Sequence, residues 1–299
     1  MEFKQLESFL AVVKTKSFSK AAEQLFLTQP AVTSNLKKLE RELGAILVNR
    51  KAKEISLTKD GEHFLPLAVD LINRRDQAKN RICPASSELG GILEISASTI
   101  PEQFLLPPIL RDFCLQYPNI RLSIRHMDSQ QVLNSIQSGH QNMGVTGNKQ
   151  KQDGLDYLDF YEDRLVLATP PDMKLSDDNH VSIHDLAGKN LILRETGSGT
   201  RKRLEDSLAN QGIDLSLFGA IHVVESNETI KKMVSLGMGI SFLSNISVMD
   251  EQAMNLITIY DLLDIPVDRV YSLVHTTYRC LSPEEEAFKI FVKTSKTNN

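Results

Sequence analysis

Tryptophan is absent from the 299 residues, cysteine occurs only three times, and no apolar run reaches the ~20 residues that span a bilayer. Cys83, Cys114 and Cys280 stand far apart with no C-x-x-C pair, which argues against a disulfide framework and a structural zinc site. The first residues, Met1-Glu2-Phe3-Lys4-Gln5, place an acid second and offer no apolar core before a cleavage site. A cytoplasmic chain without a signal peptide is therefore expected. Catalytic signatures are also missing: there is no G-x-S-x-G, no G-x-G-x-x-G, and Gly197-Ser198-Gly199-Thr200 lacks the lysine of a phosphate loop. The histidines are scattered, and His126, His140, His222 and His275 read as surface or structural residues. No enzyme activity, metal or cofactor is expected.

What remains is the composition of an ordinary folded protein, with 41% hydrophobic and 24% charged residues, so extended disorder is excluded. The length suits two or three domains at ~100–200 residues each. Net charge is −4, but it is unevenly spread. Residues 1–82 hold 15 Lys plus Arg against 10 Asp plus Glu, whereas residues 83–299 hold 19 against 28. A basic arm on an acidic body suits a nucleic-acid-binding segment joined to something else.

The arm reads as helices. Leu6, Phe9, Leu10 and Val13 recur at helical spacing over Glu2 to Lys16. Ser19 is the expected N-cap of a short second helix, and Thr28 that of a third, with Pro30 in its first turn. Val32, Leu36, Leu39 and Leu43 share one face of this third helix, and Gln29, Thr33, Ser34 and Lys37 the opposite one. Short polar groups and a cation suit base edges and phosphates in a major groove, and Ser19, Thr28 and Pro30 at the helix starts are expected to contact DNA beside them. Next, Val48 to Lys53 and Ile55 to Thr58 suggest a β-hairpin followed by a turn at Lys59-Asp60-Gly61, with Arg50, Lys51 and Lys53 on the DNA backbone or in the minor groove.

Phe18-Ser19-Lys20-Ala21-Ala22-Glu23-Gln24-Leu25, Thr28-Gln29-Pro30-Ala31-Val32-Thr33, Leu39-Glu40, Leu43-Gly44 and Leu57-Thr58-Lys59-Asp60-Gly61 together resemble the winged helix-turn-helix of LysR-type transcriptional regulators. Val48, where that family usually has Phe, and Asn35-Leu36-Lys37-Lys38 depart from the common pattern and bear on operator sequence. In the stretch from Gly61 to Cys83, Phe64, Ala68, Leu71, Arg75, Ala78 and Ile82 follow the four-three spacing of a coiled-coil seam, which predicts a partner helix. Pro84 to Gly91 reads as a hinge.

From Ile92 onward, strands and helices alternate in an α/β pattern that predicts mainly parallel sheets. One predicted strand is Leu165–Thr169. The resemblance implies two α/β subdomains of the periplasmic-binding-protein type, the chain crossing near Glu162 and returning near Pro266. The expected division is a DNA-binding domain over 1–61, a linker helix over 62–85, a hinge over 86–91 and an effector-binding domain over 92–299. Within the last, subdomain I takes about 92–161 and 267–299, and subdomain II about 162–266.

Open α/β sheets bind ligands beyond the carboxyl ends of their strands. The loops that would do so carry Ser98 and Thr99; Thr146; Thr196, Gly197, Ser198, Gly199, Thr200 and Arg201; and Ser226 with Asn227. Hydroxyls and glycines before a helix start make an anion site, although the same residues cap helices, and Arg194 and Glu195 also read as a structural ion pair. The resemblance extends to the LysR branch governing sulfur assimilation, selenium metabolism and carbon fixation. It implies promoter DNA with an inverted repeat, a dimer assembling into a tetramer, and a small anionic effector, with RNA polymerase a candidate partner. The alternatives are a regulator controlled by a protein partner and a cytosolic small-molecule-binding protein.

Overall fold

The computed structural model describes residues 1–49, 55–82, 89–150, 154–265 and 267–295. The first three helices are α1 (Phe3–Thr15), α2 (Phe18–Gln24) and α3 (Gln29–Leu43). Thr28 caps α3 by accepting from the Ala31 N–H at 3.4 Å, with Pro30 in the first turn. The cap of α2 is Ser17 and not Ser19: Ser17 Oγ accepts from the Lys20 N–H at 3.3 Å. Ser19 already lies inside the first turn, which frees its hydroxyl to reach another helix. Val32, Leu36 and Leu39 are fully buried against Leu6, Phe9, Val12 and Ala21. Leu43 is 40% exposed and leaves that stripe, because α3 ends there at the left-handed Gly44.

The α2–α3 turn contains Phe26 at φ 54° and 96% exposed. A bulky residue in left-handed backbone costs about 1–2 kcal/mol, and nothing buried repays it. Phe26→Asn is therefore expected to raise the stability of this domain by about 0.5–1 kcal/mol, since Asn tolerates that conformation. Thermal unfolding of the variant checks this; a fall in midpoint would show that the ring packs in the folded state.

Strands β1 (Val48–Asn49) and β2 (Ser56–Leu57) pair antiparallel, with Val48 opposite Leu57. Arg50, Lys51 and Lys53 lie outside the described residues. Helix α4 (Lys59–Ile82) begins two residues before Gly61, so the expected turn is its first helical turn. A Cβ on Gly61 would stand 2.1 Å from the Leu47 carbonyl oxygen, which is why glycine is required there.

Part of the α4 seam is covered within the chain, while Ala78 farther along it is exposed. Leu65 and Ala68 are buried in the helix-turn-helix core, Phe64 meets Phe9 at 5.5 Å between ring centroids, and Arg75 pairs with Glu7 at 2.6 Å. Alternating four-three spacing marks an apolar face, and here α1 of the same chain covers much of it. Further along, the side chains of Asn73 and Gln77 donate to the carbonyls of Cys280 (2.6 Å) and Leu281 (2.8 Å), and Asp70 accepts from the Cys280 N–H at 2.7 Å. These bonds fix α4 to the C-terminal part of the chain.

That part begins with β3 (Gly90–Ala97), so Gly90 and Gly91 of the expected hinge are already strand, and Cys83 and 84–88 lie outside the described residues. A π turn (Pro101–Leu105), α5 (Leu106–Gln116), β4 (Asn119–His126), α6 (Ser129–Gln137) and β5 (Met143–Thr146) follow. Strand β6 (Leu155–Thr169) then crosses into a second unit of β7 (His180–Val181), β8 (Leu191–Leu193), α7 (Gly199–Asn210), β9 (Ile221–Val223), α8 (Asn227–Ser235), β10 (Ser241–Ser244), α9 (Met249–Ala253) and β11 (Thr258–Leu262). Strand β12 (Asp268–Thr276) returns, and α10 (Pro283–Ser295) packs on the first unit, Phe288 meeting Phe113 edge-on at 5.1 Å.

The sheets are mixed and not mainly parallel. β3 pairs parallel with β4 and β5, and β8 with β9. β12 runs antiparallel to β5 and β6, as do β10 and β11 to β6. The predicted strand at Leu165–Thr169 is the last third of a 15-residue strand. Its first part carries Asp156, Asp159, Glu162 and Asp163 among apolar residues, an acidic pattern that resembles a loop. The two crossing strands join subdomain cores built around Leu93, Phe113 and Phe288, and around Leu165, Leu191 and Phe242.

Candidate functional site

One candidate surface is the outer face of α3, where Gln29, Pro30, Thr33, Ser34, Lys37, Lys38 and Arg41 line a shallow concavity. Thr33 Oγ1 donates to the Gln29 carbonyl at 2.9 Å, and Ser19 Oγ donates to Gln29 Oε1 at 3.1 Å across the turn. Thr28 is engaged as the cap. Lys38 and Arg41 extend the cationic end beyond the residues expected from sequence. Their helical spacing from Ser34 and Lys37 was the available signal.

The second site is the cleft between the subdomains. At the end of β3, Ser98 and Thr99 reach it, and the loop after β8 brings Arg194, Glu195, Ser198, Gly199 and Thr200. Asp128 and Ser129 at the start of α6 face that loop, and Arg269 and Tyr271 enter from β12. The N-termini of α6 and α7 thus confront each other. A Cβ on Gly197 (φ 101°) would lie 2.9 Å from Asp128 Oδ2, and one on Gly199 would lie 2.7 Å from Ser129 Oγ. Side chains at these glycines would hold the subdomains apart.

Two guanidinium groups are buried here. Arg194, 5% exposed, makes the ion pair with Glu195 (2.7 Å) and also donates to Asn227 Oδ1 (2.6 Å) and, across the cleft, to Thr99 Oγ1 (3.2 Å). Arg269, 8% exposed, donates from Nε to Asp163 (2.8 Å) and from Nη1 to Thr200 Oγ1 (3.1 Å). Its Nη2 is buried without a hydrogen-bond partner among the described residues. The guanidinium also lies 4.7 Å from the centre of the Tyr271 ring, whose phenol is pushed above its ordinary pKa by burial.

Of the residues expected at the effector site, the structure brings Ser98, Thr99, Ser198, Gly199 and Thr200 to the cleft, with Gly197 against its far wall. The rest stand apart. Thr146 accepts from the Asn148 N–H at 3.1 Å, Ser226 caps α8, and Thr196 is exposed. Asn227 supports Arg194 from behind, and Arg201 turns to Glu205 at 2.7 Å. Arg269, Tyr271, Asp128 and Ser129 were not expected. His180 and His184 are four apart in sequence, but they sit in a short strand and a 3₁₀ turn. Among the described residues no group of three or more His, Cys, Asp or Glu side chains could hold a metal, and no helix is long and apolar enough to cross a membrane.

Residues 3–62 match the family model described as bacterial regulatory helix-turn-helix protein, lysR family, and residues 86–296 match the LysR substrate binding domain. The chain is 29% identical over 296 residues to the HTH-type transcriptional regulator CysL of Bacillus subtilis, covering 99% of this chain and 98% of that protein. Full-length OxyR of Pseudomonas aeruginosa shares the fold, with a TM-score of 0.82 at 19% identity over 98% of this chain and 94% of that one. The regulatory domain of CcmR from Synechocystis, solved in complex with 2-PG, gives a TM-score of 0.64 at 25% identity, covering 70% of this chain and 98% of that one. With a helix-turn-helix at one end and a donor-lined cleft between two α/β subdomains at the other, this chain belongs to the LysR family of DNA-binding transcriptional regulators with an effector-binding domain.

Proposed function

We propose that the cleft senses a small anion and that the helix-turn-helix reads an inverted-repeat promoter site, with one α3 per half-site in a dimer or tetramer. Residues 1–61 then read DNA, 62–85 link, and 92–299 sense. The carrying observation is the unpartnered Nη2 of Arg269, buried among Ser98, Thr99, Ser198 and Thr200 and close to two helix N-termini. Such a set offers donors to an oxyanion. The cavity is only about 20 Å3, room for about one water molecule, so a metabolite enters as the subdomains part and is enclosed as they close. The 2-PG complex of the related CcmR domain supports a small ligand at this kind of domain. The branch resemblance narrows the effector to oxyanions, sulfur metabolites and phosphorylated or carboxylated intermediates.

Calorimetric and thermal-shift titration of the full chain with inorganic phosphate, sulfate, thiosulfate and 2-PG tests this. At least one anion is expected to bind, and Arg269→Lys is expected to weaken it about tenfold or more. The substitution keeps a charge beside Asp163 but loses the planar fork. Binding of none, or equal binding by the variant, would overturn the anion site and favour control by a protein partner.

A further inference from the structure

We propose that Ser19 is a positioning residue that sets how Gln29 reads a base. This rests on the proposal that α3 enters the major groove. Gln29 is the first residue of α3 and its side chain is exposed. A free glutamine has three rotatable side-chain bonds and loses considerable freedom when fixed against a base. Here that side chain is tethered before DNA arrives: Ser19 Oγ on α2 donates to Gln29 Oε1 at 3.1 Å. The backbone beneath it is tied as well, by the bond from Thr33 Oγ1 to the Gln29 carbonyl at 2.9 Å.

An amide oxygen has two lone pairs, and Ser19 occupies one. Among the described residues nothing else bonds the amide, which leaves the other lone pair and both Nε2 hydrogens for a base. One acceptor beside one donor matches the N6 donor and N7 acceptor of adenine in the major groove. The bond exists because Ser19 is the second residue of α2 and is not spent on capping it, the task Ser17 performs. Ser19 thus acts through Gln29 and has no need to touch DNA itself.

In vitro selection of random duplexes by the full chain, followed by affinity measurements on single-base variants, tests the proposal. The wild type is expected to select adenine at one position of each half-site, and Gln29→Ala to lose that preference. Ser19→Ala is expected to weaken it about 3- to 10-fold while leaving other positions and the salt dependence unchanged. Ser19→Thr, which keeps the hydroxyl, is expected to restore it. If Ser19→Ala lowers affinity for every sequence alike, or changes nothing while Gln29→Ala does, the proposal fails and the α3 reading survives. If Gln29→Ala leaves every base preference intact, the proposal fails at Gln29 itself; the α3 reading fails too only if Thr33→Ala and Lys37→Ala also leave binding intact.

Discussion

Asp163→Ala is expected to destabilise the effector-binding domain by about 3–5 kcal/mol, the cost of breaking a buried ion pair by removing one member. The Asp163 and Arg269 side chains are 2% and 5% exposed, and the two residues stand opposite each other on β6 and β12, the strands that join the subdomains. Asp163 also accepts from Ser244 Oγ at 2.7 Å. Removing it leaves a guanidinium in the interior with no counter-charge. The double variant Asp163→Leu with Arg269→Met removes both charges and is expected to recover most of the loss, since apolar pairs replace buried ion pairs at little net cost. Chemical denaturation of the three proteins measures this. A single-variant loss below about 1 kcal/mol would show that water reaches Arg269 and screens it.

The second large effect lies in the DNA-reading half. Phe9→Ala is expected to cost about 3–5 kcal/mol, combining lost transfer energy with the cavity left behind. Phe9 is 0% exposed and joins three elements: it shares a core with Ala21 and Leu36 and meets Phe64 of α4. The variant should therefore loosen both the recognition helix and the linker's hold on it, and DNA affinity should fall together with the midpoint of unfolding. If stability drops while DNA affinity holds, α3 keeps its reading position without Phe9.

The helix-turn-helix was legible because its determinants are local. Thr28 with Pro30 marks a helix start, and Val32, Leu36 and Leu39 at helical spacing mark the buried face. The hydroxyl loops of the cleft were legible for the same reason, since Ser98-Thr99 lie just before a helical turn and Ser198 and Thr200 flank the start of α7. Arg269 was not. It lies in a strand whose neighbours, Val267, Asp268 and Val270, carry no motif, and its partner Asp163 is 106 positions away. Only the register of two antiparallel strands brings them together. The α4 seam shows the converse: Phe64 and Ala68 announce an apolar face, but which surface covers it depends on α1, a long-range fact that periodicity does not encode. Ser19 illustrates a third kind of ambiguity. A one-residue shift in the cap converts a helix-starting serine into a residue that reaches Gln29.

The central claim is that a small anion draws two subdomains together at the Arg269 cleft. Amide hydrogen exchange on the full chain, with and without a saturating concentration of whichever of inorganic phosphate, sulfate, thiosulfate and 2-PG binds in the titration, tests it most directly. Protection is expected at once on both walls, at Asp128–Gln131 where α6 starts and at Gly197–Arg201 where α7 starts, because these helix starts face each other across the cleft. No change at either wall, or protection confined to one, would contradict the account.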